Sequence, residues 1–310
     1  MKQMATFVCL LVLSVGIWLV SARVPLVVRR AAPESALTKE FARASAARQK
    51  GEYSKALELF RAGYRQAQIN GEPELEARFL WGIGNCHFAQ HYYQEALREY
   101  LAARDRFEEL LDRSSVSALN GNLASLYQRL GEFDAAIAAA RLALSQDTGT
   151  DSKGRRARLL ILAGGLLAED GKMVEARRSF EAGIVEASRF DDPELISNAW
   201  DRLGSELLLH RNLAEAEQAL LEGYRIRKLH HLTSVAGSYG NLGLLRFEQG
   251  DLRSALALID ASLAASKMPG GRIAVWCSYY VRGRLRLSEG KIEQARADFT
   301  TRSNSSGTIA

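Results

Sequence analysis

Residues 123–136 read Leu123-Ala124-Ser125-Leu126-Tyr127-Gln128-Arg129-Leu130-Gly131-Glu132-Phe133-Asp134-Ala135-Ala136. The closing alanine returns along the chain as Ala56, Ala96, Ala136, Ala176, Ala216, Ala255 and Ala295. The steps are 40, 40, 40, 40, 39 and 40 residues. A fixed period of 20–50 residues marks stacked supersecondary units rather than one globular core.

The surroundings of each alanine repeat too. Five residues before it stands Gly51, Gly131, Gly171, Gly250 or Gly290, with His91 and Arg211 in the other two copies. Three before it is a large side chain: Tyr53, Tyr93, Phe133, Met173, Leu213, Leu252, Ile292. Twelve before it is a small one: Ala44, Gly84, Ala124, Gly164, Gly204, Gly243, Gly283. Four after it is a bulky one (Phe60, Tyr100, Phe180, Leu220, Ile259, Phe299), except for Ala140. Small and large columns in register predict two helices packed closely, the large side chains filling space beside the small ones. Trp200, Leu203, Gly204 and Leu207 fall at i, i+3, i+4 and i+7, one helix face. Pro73 and Pro193 each follow an acidic residue and open a helical stretch, where proline is tolerated. No strand-like alternation of useful length occurs.

These residues resemble the tetratricopeptide repeat family, whose pattern is Trp, Leu-Gly, Tyr, then Ala, Phe and Ala at set offsets. The nearest copies are Leu123-Ala124 to Ala136 and Trp200, Leu203-Gly204, Ala216. The resemblance covers residues 37–300. The period of 40 exceeds the family's usual 34, adding about one and a half helical turns per repeat. Long repeats of this kind are similar to those of spindle-orientation scaffolds, kinesin light chains, and bacterial arrays that precede a caspase-like domain. No such domain is expected here. The resemblance implies an all-α, right-handed superhelical solenoid of about seven helix pairs.

Charged residues make up 25% of the chain and apolar ones 47%, ordinary for a folded chain. The net charge of +5 is spread out. The cluster Lys153-Gly154-Arg155-Arg156-Ala157-Arg158 reads as solvated helix surface, not as the continuous basic stripe of a nucleic-acid binder. Residues 1–30 form a separate element, a membrane anchor or signal peptide. Ala5 to Ala22 carries no charge. As a helix it would span about 27 Å, close to a hydrocarbon core. Val20-Ser21-Ala22 fits a cleavage site, yet Arg23 directly after it favours an uncleaved anchor. The expected location is therefore membrane-anchored or secreted.

The sequence shows little that could do chemistry. Cys86 and Cys277 lie five repeats apart, too far to bridge. Cys86-His87 points in two directions on a helix, and His87 holds a packing register. Neither an enzymatic activity nor a cofactor or metal is expected. The resemblance places binding on the first helix of each repeat, at the concave face, and there it singles out Trp81, Asn85, Asn122, Ser125, Asp201, Arg202, Asn241, Tyr280 and Arg284. An asparagine suits a peptide backbone because its amide donates and accepts at once.

The expected function is a scaffold that binds a protein or peptide in its concave face and is held at, or exported across, a membrane through residues 5–22. The alternative is a sensor fragment of a larger protease whose catalytic domain is missing. Residues 302–310 (Arg302-Ser303-Asn304-Ser305-Ser306-Gly307-Thr308-Ile309-Ala310) are expected to form a flexible tail. With no capping element after Phe299, the last repeat is a candidate for self-association.

Overall fold

The computed structural model describes residues 35–147, 154–267 and 276–306. Fourteen helices and no strand occur among them: α1 (Ala36–Gln49), α2 (Tyr53–Asn70), α3 (Pro73–Ala89), α4 (Tyr93–Glu109), α5 (Arg113–Leu130), α6 (Phe133–Gln146), α7 (Arg155–Glu169), α8 (Met173–Ser188), α9 (Pro193–Leu209), α10 (Leu213–Leu229), α11 (Val235–Glu248), α12 (Leu252–Ala265), α13 (Trp276–Ser288) and α14 (Ile292–Ser306). They pair in order, α1 with α2 through α13 with α14, and each pair packs on the next. Units that touch only their neighbours make a solenoid.

The alanine column is the centre of each pair. Ala56, Ala96, Ala136, Ala176, Ala216 and Ala255 are fully buried, and Ala295 nearly so. Each small residue of a first helix faces the bulky residue sixteen positions later on the second. A Cβ at Gly84 would stand 2.6 Å from the Tyr100 ring, and one at Gly164 2.9 Å from Phe180. The same probe finds Leu220 at 2.7 Å from Gly204, and Ile259 and Phe299 each at 2.6 Å from Gly243 and Gly283. Glycine costs a helix about 1 kcal/mol relative to alanine. Here the closer approach of the two backbones offsets it. In the third repeat Ala124 and Ala140 are both buried, so the pair stays close without a large side chain.

Two series of left-handed residues punctuate the array. Within repeats, the turn residue has φ between 61° and 84° at Gly51, His91, Gly131, Gly171, Arg211, Gly250 and Gly290. Between repeats, Gly71, Leu111, Asp191 and His231 take φ of 67°, 55°, 49° and 52°. The sequence hides most of this second series, since only Gly71 of these four is a glycine; Gly154, directly before α7, is left-handed as well, with φ 73°. Leu111, Asp191 and His231 each bear a steric cost of about 1–2 kcal/mol, which the packing on either side must outweigh. Pro73 and Pro193 sit in the first turns of α3 and α9. The Asp112 and Asp192 carboxylates cap α5 and α9, each accepting a backbone N–H at 3.0 Å, from Ser115 and Leu195.

The helical array runs from Ala36 to Ser306. Helix α14 thus continues to Ser306, inside the stretch expected as a tail. Residues 307–310 and the apolar segment 5–22 lie outside the described residues. Among the described residues no helix is long and apolar enough to cross a membrane.

Candidate functional site

First helices approach the first helices of adjacent repeats: α1 with α3, α5 with α7, α7 with α9, α9 with α11, α11 with α13. Second helices do not pair to that extent among the described residues. The side on which successive helices lie nearer is the inner side of a curved array, so the first helices line the groove.

Along that side the sequence's candidates meet across repeat boundaries. The Asn85 side-chain oxygen accepts from the Tyr100 hydroxyl at 2.8 Å and from the Asn122 amide at 3.2 Å. The next boundary is spanned by Gln128, whose amide donates to Glu169 at 2.7 Å. Ser125 donates to the Gly121 carbonyl at 3.2 Å. Arg202 of α9 lies over Gly165 of α7, where a Cβ would come within 2.5 Å of its Nη2. Asn241 is half-buried on α11 and makes no side-chain hydrogen bond to a described residue. At the far end Arg284 donates to the Tyr280 hydroxyl at 2.7 Å, its guanidinium 5.4 Å from the centre of the Phe247 ring. A cation over an aromatic face at this distance is held electrostatically.

Two candidates lie elsewhere. Trp81 packs edge-on against Phe107, with ring centroids 6.1 Å apart and its indole nitrogen buried without a partner among the described residues. Asp201 is buried between α9 and α10 rather than set in the groove. Neighbours on a helix cannot share a face, and at this pair Arg202 takes the groove side. The Asp201 carboxylate turns to Arg227, which donates to it at 2.6 Å and to Ser238 at 2.8 Å. Gly223 of α10 leaves the room for it. Burial pushes the Asp201 carboxyl up to about 6, with Arg227 pulling the other way.

A cleft that the sequence reading passed over opens between α5 and α7. Ala118, Gly121, Asn122, Ser125, Arg155, Arg158, Leu159 and Leu162 line about 480 Å³ of it. Arg155 Nη1 donates to the Ser114 carbonyl at 3.0 Å and to its hydroxyl at 2.8 Å. The signal was present: Arg155, Arg158 and Leu162 fall at i, i+3 and i+7, one stripe. It was masked because the run 153–158 looks like any charged surface.

The Cys86-His87 pair does not make a nucleophile. Both are buried. Burial pushes the Cys86 thiol up to about 11, against the pull of Arg48, so the thiolate is scarce near neutrality. Burial, then Arg61, lowers the His87 imidazole. No group of three or more metal-ligating side chains occurs among the described residues.

An array of helix pairs, each packed on the next, defines the class: a helical-repeat solenoid. Residues 75–149 and 122–192 match models described as tetratricopeptide repeat. The match spans residues 75–192 and, with this fold, supports an assignment to the tetratricopeptide repeat family. No curated protein matches it. Among solved structures it is similar to a tetratricopeptide repeat protein from Parabacteroides merdae, at 20% identity and a TM-score of 0.61, over 86% of this chain and 92% of that one. It is also similar to a Rap protein complexed with competence and sporulation factor, at 14% identity and a TM-score of 0.61, over 89% and 88%. A third is NprR in complex with its cognate peptide NprX, at 17% identity and a TM-score of 0.60, over 88% and 78%. At these identities the likeness is one of fold.

Proposed function

We propose that this chain is an interaction scaffold that holds an extended peptide or protein segment along its inner face, and that residues 5–22 keep it at a membrane. The observation that carries the reading is the polar row on the first helices. Asn85 and Asn122 are joined across a repeat boundary, and Asn241 stands without a side-chain partner among the described residues. A half-buried amide with unused donors and acceptors is suited to the backbone of an extended chain. That two solved proteins of this fold are complexes, one with competence and sporulation factor and one with a cognate peptide, supports the ligand class.

Affinity capture with residues 31–310, followed by Asn122→Ala with Asn241→Ala, tests the groove. Loss of capture on the order of tenfold or more is expected from two amide hydrogen-bond sites at about 1 kcal/mol each, with the circular dichroism unchanged. Undiminished capture by the double variant would move the site to the outer face or the turns. The membrane half has its own test. Full-length protein should sediment with membranes and residues 31–310 should not. A mature amino terminus at Arg23 would show cleavage instead of anchoring.

A further inference from the structure

The cleft between α5 and α7 carries positive charge from Arg155 and Arg158. We propose that it is an acid-selecting subsite, taking the carboxylate of an Asp or Glu side chain from an extended peptide in the groove. The proposal rests on the groove reading above and adds the chemistry of the ligand to it.

None of the eight side chains that line the cleft is acidic, and two are arginines. Among the described residues no carboxylate holds Arg155. Its Nη1 is anchored on the carbonyl and hydroxyl of Ser114, on the neighbouring first helix. That anchoring fixes the guanidinium plane. Its remaining N–H groups keep the fork geometry that matches a carboxylate. Arg158 lines the same cleft one turn further on. On the opposite wall, Asn122 spends one amide hydrogen on Asn85 and Ser125 spends its hydroxyl hydrogen on Gly121. Leu159, Leu162 and Ala118 supply apolar lining. Gly121 lets Leu159 of α7 pack close against α5, since a Cβ there would meet it at 2.8 Å.

The local sequence breaks an electrostatic rule at this point. Acidic residues belong in the first turn of a helix and basic ones in the last. Helix α3 follows the rule with Glu74 and Glu76, and α9 with Glu194. Helix α7 has no acid in its first turn, as α1, α5, α11 and α13 have none, but it alone of the first helices opens with three arginines, Arg155-Arg156-Ala157-Arg158. Positive side chains beside a positive helix end repel, and an anion between them relieves both. The site is midway along the array, with first helices on either side of it. A chain lying along the groove passes the cleft with its side chains, which favours a side-chain carboxylate over a terminal one.

The test uses the full chain in detergent and three synthetic decapeptide libraries with a degenerate centre. One centre is Asp and Glu, one Asn and Gln, one Lys and Arg, all with amidated carboxyl termini. A fourth library has the neutral centre and a free terminal carboxylate. The acidic library should be captured about tenfold or more over the neutral one, as charge-assisted hydrogen bonds predict, and the preference should fall with added salt. Arg155→Gln should abolish the preference while leaving the melting curve within a few degrees. Arg155→Glu should shift capture toward the basic library, a gain that misfolding cannot produce. Equal capture of acidic and neutral libraries, both lost in Asn241→Ala, would overturn the acidic subsite and leave the groove standing. Capture indifferent to Arg155 and Asn241 alike would overturn both. Preference for the free terminal carboxylate, or no capture of any library, would also overturn the side-chain assignment.

Discussion

Replacing Arg227 by methionine should destabilise the array by about 3–5 kcal/mol at neutral pH, the cost of leaving a buried charge without its partner. Arg227 is 3% exposed and reaches both α9 and α11. It donates to Asp201 on α9 at 2.6 Å, to Asn198 on the same helix at 2.5 Å, and to Ser238 on α11 at 2.8 Å. Its Nε donates to Ser234 at 3.0 Å, and Ser234 donates to Glu194 at 2.8 Å. One side chain on α10 therefore ties the fifth repeat to the sixth. The pH dependence follows from Asp201. Its folded pKa, raised to about 6 by burial, lies above the unfolded value of about 3.9. Protonated Asp201 is thus the form the fold favours, and its contribution to stability is full below about pH 4 and lost as pH rises through 6. The Arg227→Met loss should accordingly shrink between pH 7 and pH 4. Adding Asp201→Asn should recover part of it at pH 7. Urea midpoints at the two pH values report this. A loss below about 1 kcal/mol, equal at both pH values, would contradict the buried pair.

Phe180→Ala should cost about 3–5 kcal/mol, the usual range for removing a fully buried aromatic ring. The ring is fully buried and lies on Gly164 of the preceding helix. The instructive measurement is the cycle with Gly164→Ala. In the natural chain the new methyl would meet the Phe180 ring at 2.9 Å, an overpacking cost of about 1–3 kcal/mol. In the Phe180→Ala background the ring is gone, the methyl has space, and the helix gains from losing a glycine, by about 1 kcal/mol. The same substitution should change sign between backgrounds. Additive effects would show that the two positions do not touch and that the small-to-large register is misassigned.

Much of the fold was legible because it is written seven times. Close packing needs a small residue opposite a large one, and repetition makes Gly164 with Phe180 visible as one instance of a column. The turns inside repeats were legible for the same reason, with His91 and Arg211 found at the glycine positions with φ of 65° and 61°. The turns between repeats were not, because Leu111, Asp191 and His231 adopt the left-handed region without the residue that advertises it.

The groove was legible only in part. Asn122 and Asn241 share one register and Asn85 and Ser125 another, so columns could find them. Asp201 and Arg202 are adjacent, and only the rotation of α9 decides which one enters the groove. Periodicity to within one residue does not resolve a helix face. Arg155 and Arg158 belong to a charge run, and composition alone gives a run no direction. What turns Arg155 into the cleft is its bond to Ser114, forty-one residues away.

The central claim is that ligand lies against the first helices. Hydrogen exchange of the array with and without a captured peptide tests it most directly. The account predicts added protection in α5, α7, α9 and α11, with α6, α8, α10 and α12 unchanged. Protection confined to the second helices, or to the turns at residues 111, 191 and 231, would contradict it.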